Sequence, residues 1–345
     1  MASSPTPCTT AAFMTGTSPD PRSVTRADAT FRVVVSAEAR RFIKERMDGR
    51  DPVDDSARLE DVEVLRNTNR EDCRAGVEAA VAEFSAYLDD AVWGDVRCLE
   101  TRTPSVGSDT NRGAVLYLFG GGFIVGGPWE DISKTAPIAD GLGGPVVSPF
   151  YPLAPEHPFP AALDASVAVY RAMARRHGTS RLAVVGESAG GNLALATVLR
   201  ARDEGIEMPA AVVALSPWSD LRSVGHSFDI DADPTLRREG VRNAISSAYA
   251  GSTGLNHPLV SPLRADYTPG FPATMLTTGT RDLFRSLQVR LALQLQAARV
   301  PVVLRVWDEM WHVFEYYREV PEARESMEEV VAFLSSSILS PTVAT

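Results

Sequence analysis

The sequence predicts an α/β fold, with a mostly parallel central sheet and helices on both of its faces. From about Val96 onward, short apolar runs typical of strands alternate with longer amphipathic runs typical of helices. The strand candidates are apolar almost throughout, as expected where both faces of a sheet are covered. The chain has 345 residues, of which 44% are hydrophobic and 23% charged, so a large core is expected.

Seven strands and five helices are expected in this region. The strand candidates are Val96–Leu99, Ala114–Phe119, Pro145–Phe150, Leu182–Gly186, Ala211–Leu215, Ala273–Thr278 and Val302–Trp307. The helix candidates are Ile132–Leu142, Pro160–His177, Ala189–Glu204, Leu283–Ala298 and Ser326–Ser336. Ligands of such sheets bind beyond the carboxyl ends of the strands, so a site is expected in the loops that follow them.

The N-terminal part of the chain shows a different pattern. Residues 1–28 are rich in Ser, Thr and Pro and are expected to form a disordered tail. Apolar residues then recur on one helical face over Ser36–Met47 and Cys73–Asp90. These helices carry no recognisable chemistry, and we expect them to contribute to a lid.

A long connection interrupts the alternation between the strands ending at Leu215 and starting at Ala273. It is rich in Pro and Gly and contains one helical stretch, Thr235–Tyr249. A loop this long in a compact domain is usually functional, and we interpret it as a cap insertion packed with the N-terminal helices. The expected organisation is a tail at 1–28, N-terminal helices contributing to the cap at 29–95, a catalytic α/β domain at 96–219 and 258–345, and a cap insertion at 220–257.

Charge and cysteine content exclude several classes of protein. The net charge is −10, from 34 basic and 44 acidic residues, which argues against nucleic acid or an anionic membrane as the main partner. Three scattered cysteines show neither metal spacing nor a disulfide framework, so a cytoplasmic location is expected. The N-terminus lacks the pattern of a signal peptide, and no apolar run reaches transmembrane length. The sequence implies no metal and no organic cofactor.

Ser188 lies in the stretch Gly-Glu-Ser-Ala-Gly, residues 186–190, between an apolar strand candidate and a helix candidate. This is the strand–turn–helix context in which G-x-S-x-G holds a nucleophilic serine on a tight turn. A side chain at Gly186 or Gly190 would collide with the neighbouring strand and helix. The hydroxyl is expected near a helix N-terminus, where developing negative charge is favoured. The alternative is a serine with a structural role in a turn.

A serine hydroxyl needs a base to accept its proton, and His312 is the best candidate. It follows the strand candidate that ends at Trp307, at the expected carboxyl edge of the sheet. The other downstream histidines, His226 and His257, fall in or at the end of the cap insertion. For His312 the alternative is a histidine that caps a loop carbonyl.

The base needs an acid to orient its ring, and Asp282 is the best candidate. It follows the strand candidate that ends at Thr278, one strand before the histidine. The alternative is a helix N-cap. Rival acids are Asp308 and Glu309, which are too close to the histidine in sequence to reach back to its ring, and the weaker candidate Asp220.

Three successive glycines, Gly120, Gly121 and Gly122, follow the strand candidate that ends at Phe119. Glycines let backbone N–H groups approach a substrate without interference from a Cβ atom. With the N–H of Ala189, the residue after the nucleophile, they are expected to form an oxyanion hole. The alternative is a flexible turn.

Together these segments resemble the hormone-sensitive-lipase-like family of α/β-hydrolases, which are carboxylesterases with a helical cap. The resembling segments are FGGGF (119–123), YPLAPEHPFPAA (151–162), GESAG (186–190), SPWSDL (216–221) and the segments around Asp282 and His312. The resemblance implies an α/β-hydrolase fold with Ser188 as nucleophile, Asp282 as acid and His312 as base. It also implies oxyanion donors at Gly121, Gly122 and Ala189, a cap, and a homodimer.

Two residues depart from the pattern of this family. Phe119 replaces the histidine that usually precedes the glycines and fixes their loop by hydrogen bonding, so here the loop must be fixed by packing. Glu187 stands where aspartate is commoner and is long enough to reach the loop or the cap. Neither departure removes a group of the triad.

The function expected from these observations is hydrolysis of short- to medium-chain carboxylic esters through an acyl-enzyme. The alternative is a specialised enzyme of a biosynthetic pathway on the same fold, such as a deacetylase, a lactonase or a cyclase. A non-catalytic receptor is disfavoured by the complete triad. Four aromatic side chains are candidates for a substrate pocket, with a core role as the alternative: Phe123, Trp129, Trp218 and Trp311.

Overall fold

A computed structural model describes residues 35–48, 62–106, 112–230, 232–236 and 239–339, and these contain one eight-stranded sheet. The strands are β1 (Tyr87–Trp93), β2 (Val96–Arg102), β3 (Ala114–Leu118), β4 (Val146–Pro149), β5 (Leu182–Glu187), β6 (Ala211–Leu215), β7 (Ala273–Gly279) and β8 (Val302–Trp307). Their order across the sheet is β1-β2-β4-β3-β5-β6-β7-β8. The strands from β4 to β8 in this order pair in parallel. Strand β2 pairs antiparallel with both of its neighbours, β1 and β4.

Helices cover both faces of the central strands. They are α1 (Ala37–Asp48), α2 (Val62–Phe84), α3 (Ile132–Leu142), α4 (Ala161–His177), α5 (Ser188–Asp203), α6 (Glu239–Ala250), α7 (Arg285–Ala297) and α8 (Pro321–Leu339). Every residue of β3, β5 and β6 is buried. Successive side chains of a strand point to opposite faces, so both faces of the sheet are packed against other elements. The predicted α/β architecture with a mostly parallel sheet is confirmed.

The structure corrects the prediction of a helix over Cys73–Asp90. Helix α2 ends at Phe84, and the chain then forms β1, which pairs with β2 along its whole length. The two-residue turn Gly94-Asp95 has φ +56° and +64°, the left-handed pair that joins strands of a tight hairpin. A Gly-Asp pair between two runs of β-forming residues is a hairpin signal that the apolar helical periodicity obscured.

The other predicted elements of the α/β region are all present, with ends that differ by a few residues. Within the long connection, α6 begins at Glu239 rather than at Thr235, after a non-helical stretch that includes Pro234. The expected tail over residues 1–28 lies outside the described residues. None of the helices in the described ranges combines the length and the apolar character needed to cross a bilayer.

The turn between β5 and α5 brings backbone segments into unusually close contact. Ser188, at this turn, has φ +52°, a left-handed conformation that is strained for a residue with a side chain. A Cβ atom on Gly186 would overlap the carbonyl oxygen of Gly190, and one on Gly190 would overlap the carbonyl oxygen of Leu118 in β3. The predicted need for glycine at both positions is therefore met, and the packing holds Ser188 above the end of the sheet.

We expect Gly190→Ala to lower the free energy of unfolding by about 1–3 kcal/mol, because a backbone carbonyl must move to admit the methyl group. Urea denaturation followed by circular dichroism measures this change. Gly76→Ala is the matched control, since a Cβ atom there has nothing within 4 Å. As Gly76 lies inside α2, the control should be stabilised by about 0.5–1 kcal/mol. Equal effects of the two substitutions would contradict the close-packed turn.

Candidate active site

Three buried side chains from different loops meet at the carboxyl edge of the sheet. The Nε2 atom of His312 lies 2.9 Å from Oγ of Ser188, and its Nδ1 atom lies 3.2 Å from Oδ1 of Asp282. Ser188 follows β5 at its turn into α5, Asp282 follows β7, and His312 follows β8. In the sheet β7 and β8 are neighbours, and only β6 lies between β5 and β7. This geometry suits proton transfer from the hydroxyl to the imidazole, with the carboxylate holding the second ring nitrogen.

Asp282 is fixed by donors from its own loop. Thr278 donates its hydroxyl hydrogen to Oδ2 at 2.8 Å, and the backbone N–H of Phe284 donates to Oδ1 at 2.8 Å. Burial by itself raises the pKa of the Asp282 carboxyl, but the charge and hydrogen bond of His312, aided by these donors, more than offset burial, so the net shift of the pKa is downward. Asp282 is therefore held as an anion beside the imidazole.

The carboxylate next to it changes the basicity of His312. Burial lowers the pKa of the imidazole, but the charge and hydrogen bond of Asp282, with smaller contributions from Asp233 and Glu187, more than offset burial and raise it above 6.5. The Phe284 ring packs against the imidazole nearly at a right angle, with centroids 4.9 Å apart and planes at 83°. The ring is thus oriented by a hydrogen bond on one side and an aromatic contact on another.

The rival residues from the sequence make other contacts. Asp220 forms an ion pair with Arg222, Glu309 forms one with Arg281, and Asp308 accepts a hydrogen bond from Thr280. The other two histidines downstream of Ser188 contact residues close to them in sequence. His226 lies beside Asp229 on the surface, and Nδ1 of His257 accepts a hydrogen bond from the backbone N–H of Leu259.

The glycine loop after β3 lies beside Ser188, although its three members differ in their surroundings. Gly121 and Gly122, with φ +93° and +64°, line the cavity that Ser188 also lines. Gly120 instead lies against the carboxylate of Glu187, which a Cβ atom at this position would overlap. The oxyanion role of the three glycines stays a prediction. Ala189 is the second residue of α5, where backbone N–H groups have no acceptor within the helix.

Packing fixes the loop where the related family uses a histidine. The ring of Phe119 stacks on Tyr151 with centroids 3.9 Å apart and planes 5° from parallel. The Tyr151 hydroxyl donates to the carbonyl oxygen of Phe119 at 2.6 Å. Stacking and this single buried hydrogen bond therefore anchor the residue from which the glycine loop begins.

Glu187 is a buried acid directly before the nucleophile. Its carboxylate lies against Gly120, where any Cβ atom would overlap it. Burial, reinforced by the nearby charge of Asp131, raises the pKa of Glu187 to about 7 in spite of the opposing effects of Lys134, His312 and the Gly120 N–H. Near neutral pH the group beneath the glycine loop is therefore partly protonated.

A cavity of about 460 Å³ opens onto Ser188 and His312. Much of its wall is apolar and comes from α2, the glycine loop, the long connection and α6. The apolar side chains that line it are Leu65, Ile124, Val125, Trp218, Leu236, Ile245, Phe284 and Val313. Polar groups are contributed by Thr68, Asn69, Asp72, Thr235 and Arg242. The volume is in the range of small-molecule sites.

One of the four aromatic candidates, Trp218, lines this cavity. The structure places the other three elsewhere. Phe123 is buried and stacks on Tyr249, and Trp311 is buried and stacks on Phe42 of α1. Trp129 is 40% exposed and is not part of the cavity wall. Aromatic identity close to a motif does not reveal which way a ring points, so the sequence could not separate these roles.

Asp233 was missed by the sequence analysis. It is 1% exposed and accepts hydrogen bonds from the backbone N–H groups of Leu283 and His312, each at 3.1 Å. No motif marks an aspartate in a long connection as a partner of loops 50 and 79 residues away. Its Asp-Pro-Thr context indicates only a local turn.

Within the described ranges, no group of three or more His, Cys, Asp or Glu side chains could hold a metal ion. The acids near the imidazole are instead committed to hydrogen bonds with it, with Thr hydroxyls or with backbone N–H groups.

Comparison with known proteins adds independent evidence. A family model described as alpha/beta hydrolase fold matches residues 115–316. An acetyl-hydrolase from Streptomyces hygroscopicus is 34% identical over 226 residues, which cover 65% of this chain and 75% of that protein. The crystal structure of EstE5 soaked in ethyl alcohol has a TM-score of 0.79 and 27% identity, covering 88% of this chain and 100% of that one. An esterase from the bacterial hormone-sensitive lipase family has a TM-score of 0.74 and 30% identity, covering 88% and 99%.

The anchoring of Phe119 is tested by Tyr151→Phe. Removing the hydroxyl leaves the Phe119 carbonyl without this donor and should cost about 1 kcal/mol of stability. It should also lower the rate of p-nitrophenyl acetate hydrolysis several-fold, because the glycine loop loses its fixed origin. Tyr267→Phe is the control. The buried Tyr267 hydroxyl donates to the carbonyl oxygen of Pro262 at 3.1 Å, and Pro262 is not part of the cavity wall. The control should lose similar stability and keep its activity. Equal activity in both variants would contradict the anchor.

Proposed function

The chain belongs to the hormone-sensitive-lipase-like branch of the α/β-hydrolase fold family and is a carboxylic ester hydrolase, and on this premise we propose that it is a serine esterase for short- to medium-chain esters. The nucleophile is Ser188, the base is His312 and the acid is Asp282. The observation that carries the proposal is the hydrogen-bonded series from Ser188 through His312 to Asp282 at 2.9 and 3.2 Å.

In the first half of the reaction His312 accepts the proton of the Ser188 hydroxyl as Oγ attacks the ester carbonyl carbon. The carbonyl oxygen becomes an oxyanion, which the backbone N–H groups of Gly121, Gly122 and Ala189 stabilise. The imidazolium formed at His312 is stabilised by the Asp282 carboxylate. The C–O bond to the alcohol then breaks, and His312 returns its proton to the leaving oxygen.

In the second half a water molecule takes the place of the alcohol. His312 removes a proton from the water, which attacks the acyl carbon, and the same N–H groups stabilise the second oxyanion. Collapse releases the carboxylic acid and restores the Ser188 hydroxyl. His312 must be neutral at the start of each half, and its pKa is raised above the ordinary value of a histidine. Activity should therefore increase as the pH is raised through the pKa of His312.

The cavity supports the choice of substrate. Its volume of about 460 Å³ and the apolar side chains around Ser188 suit a compact acyl group. Residues of α2 and α6 form part of the wall, which supports the proposed cap of N-terminal helices and insertion.

The alternative is a tailoring enzyme that acts on one elaborate ester, as a deacetylase, lactonase or cyclase. The polar side chains of Asn69, Asp72 and Arg242 in the cavity wall favour this alternative, since they suit a substrate with several polar groups. A panel of simple p-nitrophenyl esters separates the two. Poor turnover of every ester by protein that still reacts with a fluorophosphonate at Ser188 would favour the tailoring enzyme.

We also propose a cytoplasmic location. It is supported by the free thiols of Cys73 and Cys98, which are typical of a reducing compartment. The homodimer stays a prediction, which analytical ultracentrifugation of the purified protein tests.

Ser188→Ala should abolish hydrolysis of p-nitrophenyl acetate and butyrate and labelling by a fluorophosphonate, because it removes the proposed nucleophile. Circular dichroism and thermal unfolding should show an intact fold. Ser252→Ala, on the exposed surface, is the control and should retain full activity and labelling. Substantial hydrolysis by Ser188→Ala would rule out the proposed nucleophile.

A further inference from the structure

Asp233 uses both carboxylate oxygens to join three segments of the chain. Its Oδ1 atom accepts hydrogen bonds from the backbone N–H and the hydroxyl of Thr235, at 2.9 and 2.8 Å, and from the N–H of Leu236 at 3.1 Å. Its Oδ2 atom accepts from the N–H groups of Leu283 and His312, each at 3.1 Å. All five donors point to one buried group.

The two donors on Oδ2 belong to the loops that carry the acid and the base. Leu283 directly follows Asp282, and His312 is itself the base. A single oxygen atom therefore fixes the distance between the backbones of these two loops. The other oxygen fixes Thr235 and Leu236, which line the substrate cavity. Asp233 thus connects the wall contributed by the long connection to the residues that move the proton.

The charge of Asp233 also acts on the imidazole. Burial, with a smaller effect of Asp282, raises the pKa of Asp233, whereas His312 and the N–H donors oppose this rise. The acids whose charges raise the pKa of His312 are Asp282, Asp233 and Glu187. Tyr317, whose pKa burial raises to about 12, also interacts electrostatically with Asp233 and stays neutral at the pH values over which His312 titrates.

We propose that Asp233 is a positioning residue of the esterase reaction, which holds the Asp282 and His312 loops in register and supplies a second negative charge to the imidazolium. This rests on the proposed function. A carboxylate that only stabilised the fold would contribute to unfolding free energy without affecting the ionisation of His312. The pH dependence of catalysis therefore distinguishes the two roles.

Asp233→Asn is the informative substitution, because it keeps the shape of the side chain, removes the charge and leaves one acceptor oxygen for two sets of donors. We expect kcat for p-nitrophenyl acetate to fall at least about tenfold while KM changes less than about threefold. We also expect the acidic limb of the kcat/KM profile to move to lower pH, because loss of a negative charge lowers the pKa of His312.

Asp220→Asn is the matched control. Asp220 is a buried carboxylate of the same long connection, but its partner is Arg222 rather than the triad. The control should lower thermal stability and leave the acidic limb in place. Wild-type kcat and an unmoved limb in Asp233→Asn, whatever its stability, would overturn the positioning role.

Further results separate failure of the Asp233 role from failure of the proposed function. If Asp233→Asn does not fold, Thr235→Val removes one donor from the same carboxylate with little change in shape, and an unchanged kcat in that variant would overturn the proposal. If the wild-type protein neither hydrolyses esters nor reacts with a fluorophosphonate at Ser188, the proposed function fails and the role of Asp233 fails with it. An active wild type with an unaffected Asp233→Asn overturns the role of Asp233 alone.

Discussion

The left-handed backbone of Ser188 is the constraint on which the site depends. It is stable only because Gly186 and Gly190 allow β5, α5 and β3 to approach more closely than side chains permit. The same turn directs the hydroxyl toward His312 and exposes the first N–H groups of α5 beside the glycine loop. Nucleophile and oxyanion donors are thus consequences of one local conformation, and the strain is offset by the packing of a buried sheet.

Buried negative charge is the second organising feature. Three acids act on His312: Asp282 through a direct hydrogen bond, Asp233 through the backbone and its charge, and Glu187 from beneath the glycine loop. Each is buried, where charge interactions are stronger than in water. Each acid also accepts a hydrogen bond from a donor other than the imidazole. The cluster therefore favours a protonated imidazole without leaving a buried carboxylate unpaired.

The sequence predicted what depends on local pattern and missed what depends on long-range contacts. The elbow, the glycine loop and the loops after β7 and β8 each follow an apolar strand, so their place at one edge of the sheet followed from parallel topology alone. Strand β1 was missed because helical periodicity outweighed a two-residue turn signal. Asp233 and Trp311 were beyond local inference, since the fold alone decides whether a buried aspartate meets two distant loops or an indole packs away from the cavity.

The tautomer of His312 in the resting enzyme is the most direct test of the proposed proton relay. In protein labelled with ¹⁵N at its five histidines, the signals of His312 are identified by their absence from His312→Ala. Above the pKa of the ring, we expect a proton fixed on Nδ1, facing Asp282, and an unprotonated Nε2 that accepts a hydrogen bond from Ser188. A proton on Nε2, or the averaged signals of a free imidazole, would contradict the proposed relay.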